Sequence, residues 1–397
     1  MRLDITGARR LHLAAQGLLS PPGKSATRAD VLRSIRGMGA LQIDSISVLA
    51  RSPYFVLWSR LGAYDPAWLD QLLERGSIFE YWSHAACFLP IEDYPLYRPF
   101  REFHWPQWRR WLEKNQDVAA ETLAFVRERG EAKSSDFKHA GPKREGWWDW
   151  KPEKLALECL FRMGEVMTLR RDSGFQRVYA LPERVLRDKA FPEVSREEAV
   201  RRLVVKSVRC MGAARGSWVA DYFRLRRENV KAALQEAVEA GELFTVEVEG
   251  WIDPWYVHSE NRRLAVSAAR GSLRAERTTF LTPFDPVVWH RPRAKELFDF
   301  TYQIEVYTPV ERRQYGYFNL PILHHDRLVG RLDAKAHRRE GRFEVRSLHF
   351  EENVDVDEEM SGAIGLALHD CATWHGTPEV AITAEAPMVE SIRQALP

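Results

Sequence analysis

The chain has 397 residues, 45% of them hydrophobic and 29% charged, which is too long for one hydrophobic core and ordinary for a soluble protein. No apolar run approaches the ~20 residues a membrane span needs, and the four cysteines (Cys87, Cys159, Cys210, Cys371) form no CxxC pair, so a zinc ribbon, a redox dithiol and a disulfide framework are all excluded in favour of buried thiols in a reducing cytoplasm. Net charge is +2, but residues 351–397 hold ten acidic side chains against one Arg, so residues 1–350 carry +11, a balance that suits a polyanionic partner.

The start, MRLDITGARRLHLAAQGLLS, predicts an amphipathic helix rather than a signal peptide, since Asp4 lies in the would-be basic region and His12 and Gln16 break the apolar stretch. ATRADVLRSIRGMGALQIDSI then leads to AWLDQLLERGSIFEYW, where a helix ends at Arg75-Gly76 and a β-rich segment follows. The same order returns at residues 118–182. VAAETLAFVRERGEAKSSDF precedes a Trp-rich insert, GWWDW; PEKLALECLFRMGEV reads as a helix with Pro in its first turn, and MTLRRDSGFQRVYAL as a hairpin turning at Asp172-Ser173-Gly174.

Residues 199–258 show the unit best. AVRRLVVKSVRCMG, ARGSWVADYFRL and RRENVKAALQEAVEAGEL read as three helices; in the last, Val230, Leu234 and Val238 recur at helical spacing and Gly241 supplies the stop. FTVEVEGWIDPWYVH alternates and breaks at Gly250, as a two-stranded wing does. Three helices followed by a hairpin make a winged helix-turn-helix. The junctions RGSIFEYW, MGEVMTLR and AGELFTVE read as one helix-to-wing joint used three times.

Residues 278–350 differ. TYQIEVYTP, YGYFNLPIL, RLVGRLDAKAH and GRFEVRSLHF are β-type segments, with a turn at His325-Asp326, and predict an antiparallel sheet or small barrel; residues 360–376 return to a helical pattern. The expected fold is therefore α+β: three tandem winged helix-turn-helix units at 1–115, 116–195 and 196–272, then a β-rich region with a final helix at 273–397.

The chain has no phosphate-binding Gly loop, no HExxH, no GxSxG and no dinucleotide fingerprint, which argues against nucleotide-driven chemistry and a covalent Ser or Cys hydrolase. No cofactor and no metal are expected. His324-His325 lacks a third ligand nearby in sequence and reads as a solvent-facing turn. GALQIDSISVLARSPY is the segment with chemical content. If Leu41–Ile46 is extended, Gln42 and Asp44 share a face, opposite Leu41 and Ile43 and next to a bend at Gly39. A carboxylate there can deprotonate a water or stabilise a developing cation, with an amide to hold that water; spacing alone is equally met by two polar residues solvating a strand.

QID in this setting resembles the Gln-apolar-Asp motif of YcaQ-like winged-helix DNA glycosylases, relatives of AlkZ. IFEYWSHAACFLP, GWWDWKPEKLALECLF, GFQRVYALPERV, FLTPFDPVVWHRPRAKELFDFTYQIEVYTP and HHDRLVGRLDAKAHR extend the resemblance from about residue 3 to residue 375. It implies winged helices curled into a C shape around DNA, removal of N7-alkylated purines, and unhooking of interstrand crosslinks such as those from nitrogen mustards. AlkZ-type enzymes dedicated to resistance against one natural product carry Gln-apolar-Gln; Asp44 puts this chain with the broader-specificity branch. The resemblance assigns catalysis to Asp44 and water positioning to Gln42. It implicates no lysine as a Schiff-base nucleophile, so a monofunctional glycosylase leaving abasic sites is expected, with an open, groove-facing site.

Glu80, Tyr81 and His84 in FEYWSHAA are further active-site candidates, since their placement across a wing would aim them at the same site. Asp285 and Trp289 in PFDPVVWHRPR could lie near bound DNA, but a Pro-flanked Asp is more often a turn former. For phosphate contact the basic clusters stand out: Arg224, Arg226 and Arg227 before the last helix of the 199–258 unit, and Arg331, Lys335, Arg338 and Arg339, with Arg327 and Arg342, in the late β region. The expected partner is double-stranded DNA carrying alkylated or crosslinked purines, bound by a cytoplasmic monomer. The alternative is a winged-helix transcriptional regulator without catalytic activity, which is usually shorter and carries one such unit.

Overall fold

The computed structural model describes residues 1–23, 25–101, 106–137, 151–187, 189–385 and 389–397; the GWWDW insert lies outside the described residues. Two compact units result, one from Met1–Pro66 with Leu203–Pro397, the other from Ala67–Arg202. This division differs from the four consecutive segments read from the sequence. The chain leaves the first unit and returns to it, so pairings between residues far apart in sequence close that unit.

Strand Arg2–Leu3 of the first unit pairs in parallel with Leu243–Val248, putting Leu3 beside Val248. Asp4 then caps helix Ile5–Ala15, accepting from the Gly7 amide at 2.6 Å, which satisfies one of the donors a helix start leaves over. Helix Arg28–Met38 opens on a capping box between Thr27 and Asp30 and buries Val31, Ile35 and Met38. A helix at Ser52–Leu61 went unread in the sequence. SPYFVLWSRL has almost no polar face, and Phe55, Val56, Leu57 and Trp58 are all buried, so there is no amphipathic period to detect. Inside this unit Arg60 meets the buried Asp285 carboxylate through both guanidinium nitrogens, the Nη2–Oδ1 contact being 3.0 Å. Asp285 also accepts from the Val287 amide at 2.9 Å and so forms its own turn. That pairing uses Asp285 internally, and its turn is the one a Pro-flanked Asp more often forms; Trp289 packs its ring on Tyr222 at 5.1 Å.

Four strands form one sheet, in the order Arg2–Leu3, Leu243–Val248, Trp255–His258, Ala213–Arg215. A second sheet has five, in the order Thr278–Phe280, Leu320–His324, Arg327–His337, Arg342–Phe350, Glu379–Ile382. Its first four strands are antiparallel and the last pairs in parallel with Arg342–Phe350. TYQIEVYTP is not a strand. The Glu305 carboxylate within it accepts from the amides of Gln314, Tyr315 and Gly316 at 2.7–3.0 Å, and these bonds hold the segment as a folded loop. Helix Glu358–His375 follows, covering the region where a helical pattern was expected.

Helices Ala67–Glu74, Gln116–Arg129 and Pro152–Met163 and the hairpins Ile78–Trp82/Ala86–Pro90 and Met167–Arg171/Arg177–Ala180 belong to the second unit. The second hairpin turns at Asp172, whose carboxylate accepts from the amides of Gly174 and Gln176.

The three junctions noted in the sequence share one geometry. At each, a glycine adopts positive φ (Gly76, Gly164, Gly241). Its amide reaches back three residues, to Leu73, Phe161 and Val238, while the next amide reaches back five, to Leu72, Leu160 and Ala237, at 2.9–3.1 Å. This is the Schellman pattern, which satisfies the last carbonyls of a helix and turns the chain at once into an antiparallel hairpin. All four cysteines are free and buried, as their scattered placement predicted.

Candidate functional site

Gly39 sets the geometry of the Gln-apolar-Asp segment. It ends helix Arg28–Met38 in the left-handed region (φ 72°), and a Cβ there would stand 2.9 Å from Cys210 Sγ and 3.1 Å from the Phe223 ring. Only glycine meets both conditions. Beyond it Ala40 and Leu41 are fully buried, which anchors the chain where the polar residues begin.

The strand expected over residues 41–46 stops at Gln42. Past that point the Asp44 carboxylate accepts from the Ile46 amide at 2.7 Å, an Asx turn that competes successfully with extended backbone. Gln42 and Asp44 are both half-buried, and Ser45 and Ser47 beyond them are exposed. Strand alternation is therefore not what sets the direction of Asp44; the turn is. Burial pushes the Asp44 pKa above the usual carboxylate range, against a smaller downward pull from the Ile46 amide.

The far end of this loop is tied down as well. The Leu49 carbonyl accepts from Arg338 and, at 2.7 Å, from His375 Nε2. The other ring nitrogen of His375 lies 3.1 Å from Thr377 Oγ1; in the neutral ring with Nε2–H donating, Nδ1 accepts a hydrogen bond from that hydroxyl. Burial lowers the His375 pKa, consistent with that form. Ser52, three residues past Leu49, shares a 2.8 Å hydrogen bond with Thr282. Sequence reasoning missed His375 entirely and took Arg338 for a phosphate grip alone. No local signal could have found either, because they lie about 290–330 positions from the loop they hold.

Glu80, Tyr81 and His84 belong to the second unit, and there two of them are turned inward. The fully buried Glu80 carboxylate is held by Arg171 at 2.7 and 3.0 Å and by Arg177. Burial alone would raise its pKa, but Arg177 and Arg171 outweigh that and hold it low. Tyr81 donates its hydroxyl to the Arg162 carbonyl at 2.6 Å, and burial pushes its pKa up to about 12. Neither is a proton carrier near neutral pH. His84 lies 3.9 Å from the buried Cys87 sulfur.

Among the basic residues, Arg331 is corrected outright. It is buried, ion-paired to Glu351, stacked between the Phe300 and Tyr315 rings (4.3 and 4.2 Å) and bonded to the Thr301 carbonyl. Alternation alone would put Lys335, four residues on, on the same face as Arg331; a register shift between Asp333 and Ala334 breaks that alternation, and Lys335 beyond it is exposed. Arg338 and Arg339 are exposed, as are Arg224, Arg226 and Arg227, the last opening helix Arg227–Glu239. Arg342 pairs with Glu340 at 2.8 Å. His324 also departs from expectation: it is buried, not solvent-facing, and the Glu359 carboxylate, distant in sequence, lies 3.3 Å from its ring and 3.6 Å from that of His325.

A carboxylate of raised pKa, on a loop pinned at both ends and followed by exposed serines, suits water activation beside a developing cation. A family model described as "DNA glycosylase AlkZ-like" matches residues 35–374, and the chain belongs to that family of DNA glycosylases. Among solved structures it is similar to the Streptomyces sahachiroi DNA glycosylase AlkZ, with a TM-score of 0.67 and 14% identity over 97% of this chain and 100% of that one. At that identity the likeness speaks for the mixed α+β fold. No helix among the described residues is long and apolar enough to cross a membrane.

Proposed function

We propose that this chain is a monofunctional glycosylase that hydrolyses the N-glycosidic bond of N7-alkylated purines in double-stranded DNA, unhooks nitrogen-mustard-type interstrand crosslinks, and leaves abasic sites. The observation that carries the proposal is Asp44, half-buried with a raised pKa on its pinned loop, two residues from Gln42.

An N7-alkylguanine already carries positive charge, so its base departs with little acid assistance. What remains is to stabilise an oxocarbenium-like sugar and to deliver water to the anomeric carbon. Asp44 does the first through its charge and the second as general base; Gln42 holds the water. The exposed turn around Ser45 and Ser47 favours an open site, which a crosslinked base that cannot swing fully out of the duplex requires. Three Schellman joints, each leading from a helix into a hairpin, support three winged-helix units. Exposed Arg224, Arg226, Arg227, Lys335, Arg338 and Arg339 supply phosphate contacts for a cytoplasmic monomer acting on duplex DNA. Aspartate at the second polar position favours broad lesion choice over a role dedicated to one natural product.

The test is base release from a duplex containing N7-methylguanine, read as alkali-sensitive sites. Asp44→Asn is nearly isosteric, and it should abolish release while leaving DNA affinity within a few-fold; excision at the wild-type rate would remove Asp44 from the mechanism. Gln42→Ala should slow release less than Asp44→Asn.

A further inference from the structure

Two features of the sequence have no part in base release: the adjacent His324-His325 pair and the acidic stretch EENVDVDEE at 351–359. The first unit brings them together. His324 closes strand Leu320–His324, His325 opens the two-residue turn before Arg327, and Glu359 stands in the first turn of helix Glu358–His375, whose N-cap is Asp357.

We propose that His324, His325 and Glu359 bind one divalent transition-metal ion, of which zinc is the best fit, through two imidazole nitrogens and a carboxylate oxygen. The ligating atoms all lie within 4.8 Å of one another. His324 Nε2 is 3.3 Å from one Glu359 oxygen, and His325 Nε2 is 3.6 Å from the other. Charge-assisted hydrogen bonds are shorter, about 2.7–2.9 Å. Zinc bonds of about 2.0–2.2 Å at tetrahedral angles instead separate neighbouring ligand atoms by roughly 3.4 Å, so contacts of 3.3 and 3.6 Å, one to each Glu359 oxygen, leave room for a bridging ion that direct ion pairs would not.

Three further observations agree. The Nδ1 atom of His324 lies 2.9 Å from the Thr278 hydroxyl on the neighbouring strand; that hydroxyl can accept from Nδ1–H, as the second nitrogen of a ligating histidine requires when Nε2 binds the ion. The two imidazole rings stack with centroids 4.0 Å apart, an arrangement that two protonated rings would resist, so neutral rings with a free nitrogen lone pair are favoured there. His325 has φ of +55°, a conformation glycine would adopt more easily at the head of this turn, so the turn retains a strained residue whose ring serves the cluster. Three protein ligands leave a fourth tetrahedral position for water. The ion would clip the hairpin turn to the start of the helix that ends at His375.

The test uses the full, tag-free chain, stripped with chelator, loaded with Zn²⁺, freed of excess by gel filtration and assayed for zinc by elemental analysis. One zinc per chain is expected for the wild type, with a higher Tm than the stripped protein. His325→Gly relieves the turn conformation and Glu359→Gln alters an exposed group, so both should fold, as circular dichroism would report. Each should retain at most a tenth of the wild-type zinc and lose the zinc-dependent rise in Tm. Failure of the wild type to retain zinc, or retention by both variants at the wild-type level, would overturn the site.

Discussion

Asp44 carries a cost that follows from its pKa. Burial raises that pKa, so the folded chain binds the Asp44 proton more tightly than the unfolded chain does. Such a group favours folding in acid and works against it above its folded pKa. From about pH 4, where an unfolded aspartate titrates, its contribution falls with rising pH until the folded group is ionised. At neutral pH Asp44→Asn should therefore leave Tm unchanged or raise it, because Asn retains the oxygen that accepts from Ile46 without the buried charge. A clear fall in Tm at pH 7.5 would count against that view of the carboxylate. The same shift moves the acid limb of the pH–rate profile for base release above the pH range of an ordinary aspartate. His375 acts one step removed, as a positioning residue that donates to the Leu49 carbonyl. His375→Leu should lower the single-turnover rate of base release about tenfold with little change in DNA affinity. His375→Gln, which keeps a donor, should recover most of it. Equal losses in both variants would show that the ring, and not its hydrogen bond, is what the loop needs.

Elements were readable where local chemistry decided them. The Schellman joints at Gly76, Gly164 and Gly241 follow from a glycine placed between an apolar helical stripe and a β-rich run, and all three formed. Helix Ser52–Leu61 and the loop character of TYQIEVYTP were not legible. The first is buried nearly all round; the second is dictated by one carboxylate accepting from amides nine to eleven residues away. The candidate-site turn falls between these cases. Gln42 and Asp44 were singled out as candidates, but the direction of Asp44 depends on an Asx turn, and the extended reading assumed none. The joints permit a ranked prediction. Gly241→Ala meets nothing within 4 Å and should cost only the left-handed penalty, about 1 kcal/mol. Gly76→Ala would bring a Cβ to 2.7 Å from the Val185 carbonyl oxygen and should cost more than Gly241→Ala. Chemical denaturation of the two variants gives the order. In the second unit, Glu80→Gln leaves Arg171 and Arg177 without their buried carboxylate and should destabilise by about 3 kcal/mol at pH 7. The folded pKa of Glu80 is depressed, so its contribution is present above about pH 4.3 and lost as pH falls through the folded value. The gap between wild type and variant should accordingly narrow in acid.

Taken over the whole chain, charge was the sequence signal with the least resolution. An excess of +11 over residues 1–350 does not distinguish a surface grip from an internal tie. The structure divides the late basic cluster across a β-bulge between Asp333 and Ala334: Lys335 beyond it is exposed, while Arg331, four residues earlier, is enclosed by Glu351, Phe300 and Tyr315. Arg338 does both, being exposed along part of its length while its guanidinium holds Leu49. These classes respond differently to salt. Each phosphate neutralised on duplex DNA contributes about 0.9 to the slope of log K against log salt. Lys335→Ala and Arg339→Ala should each weaken binding at low salt, reduce that slope by about 0.9, and leave Tm unchanged. Arg331→Ala should leave the slope intact and lower Tm, because it strands Glu351 and opens a gap between two rings. Arg338→Ala should reduce the slope and also slow base release, since the Asp44 loop loses one of its two ties at Leu49. Fluorescence anisotropy across a salt series, paired with thermal denaturation of each variant, separates the three behaviours. A slope change for Arg331→Ala comparable with that for Lys335→Ala would mean that burial on this strand does not decide which cations reach the phosphates.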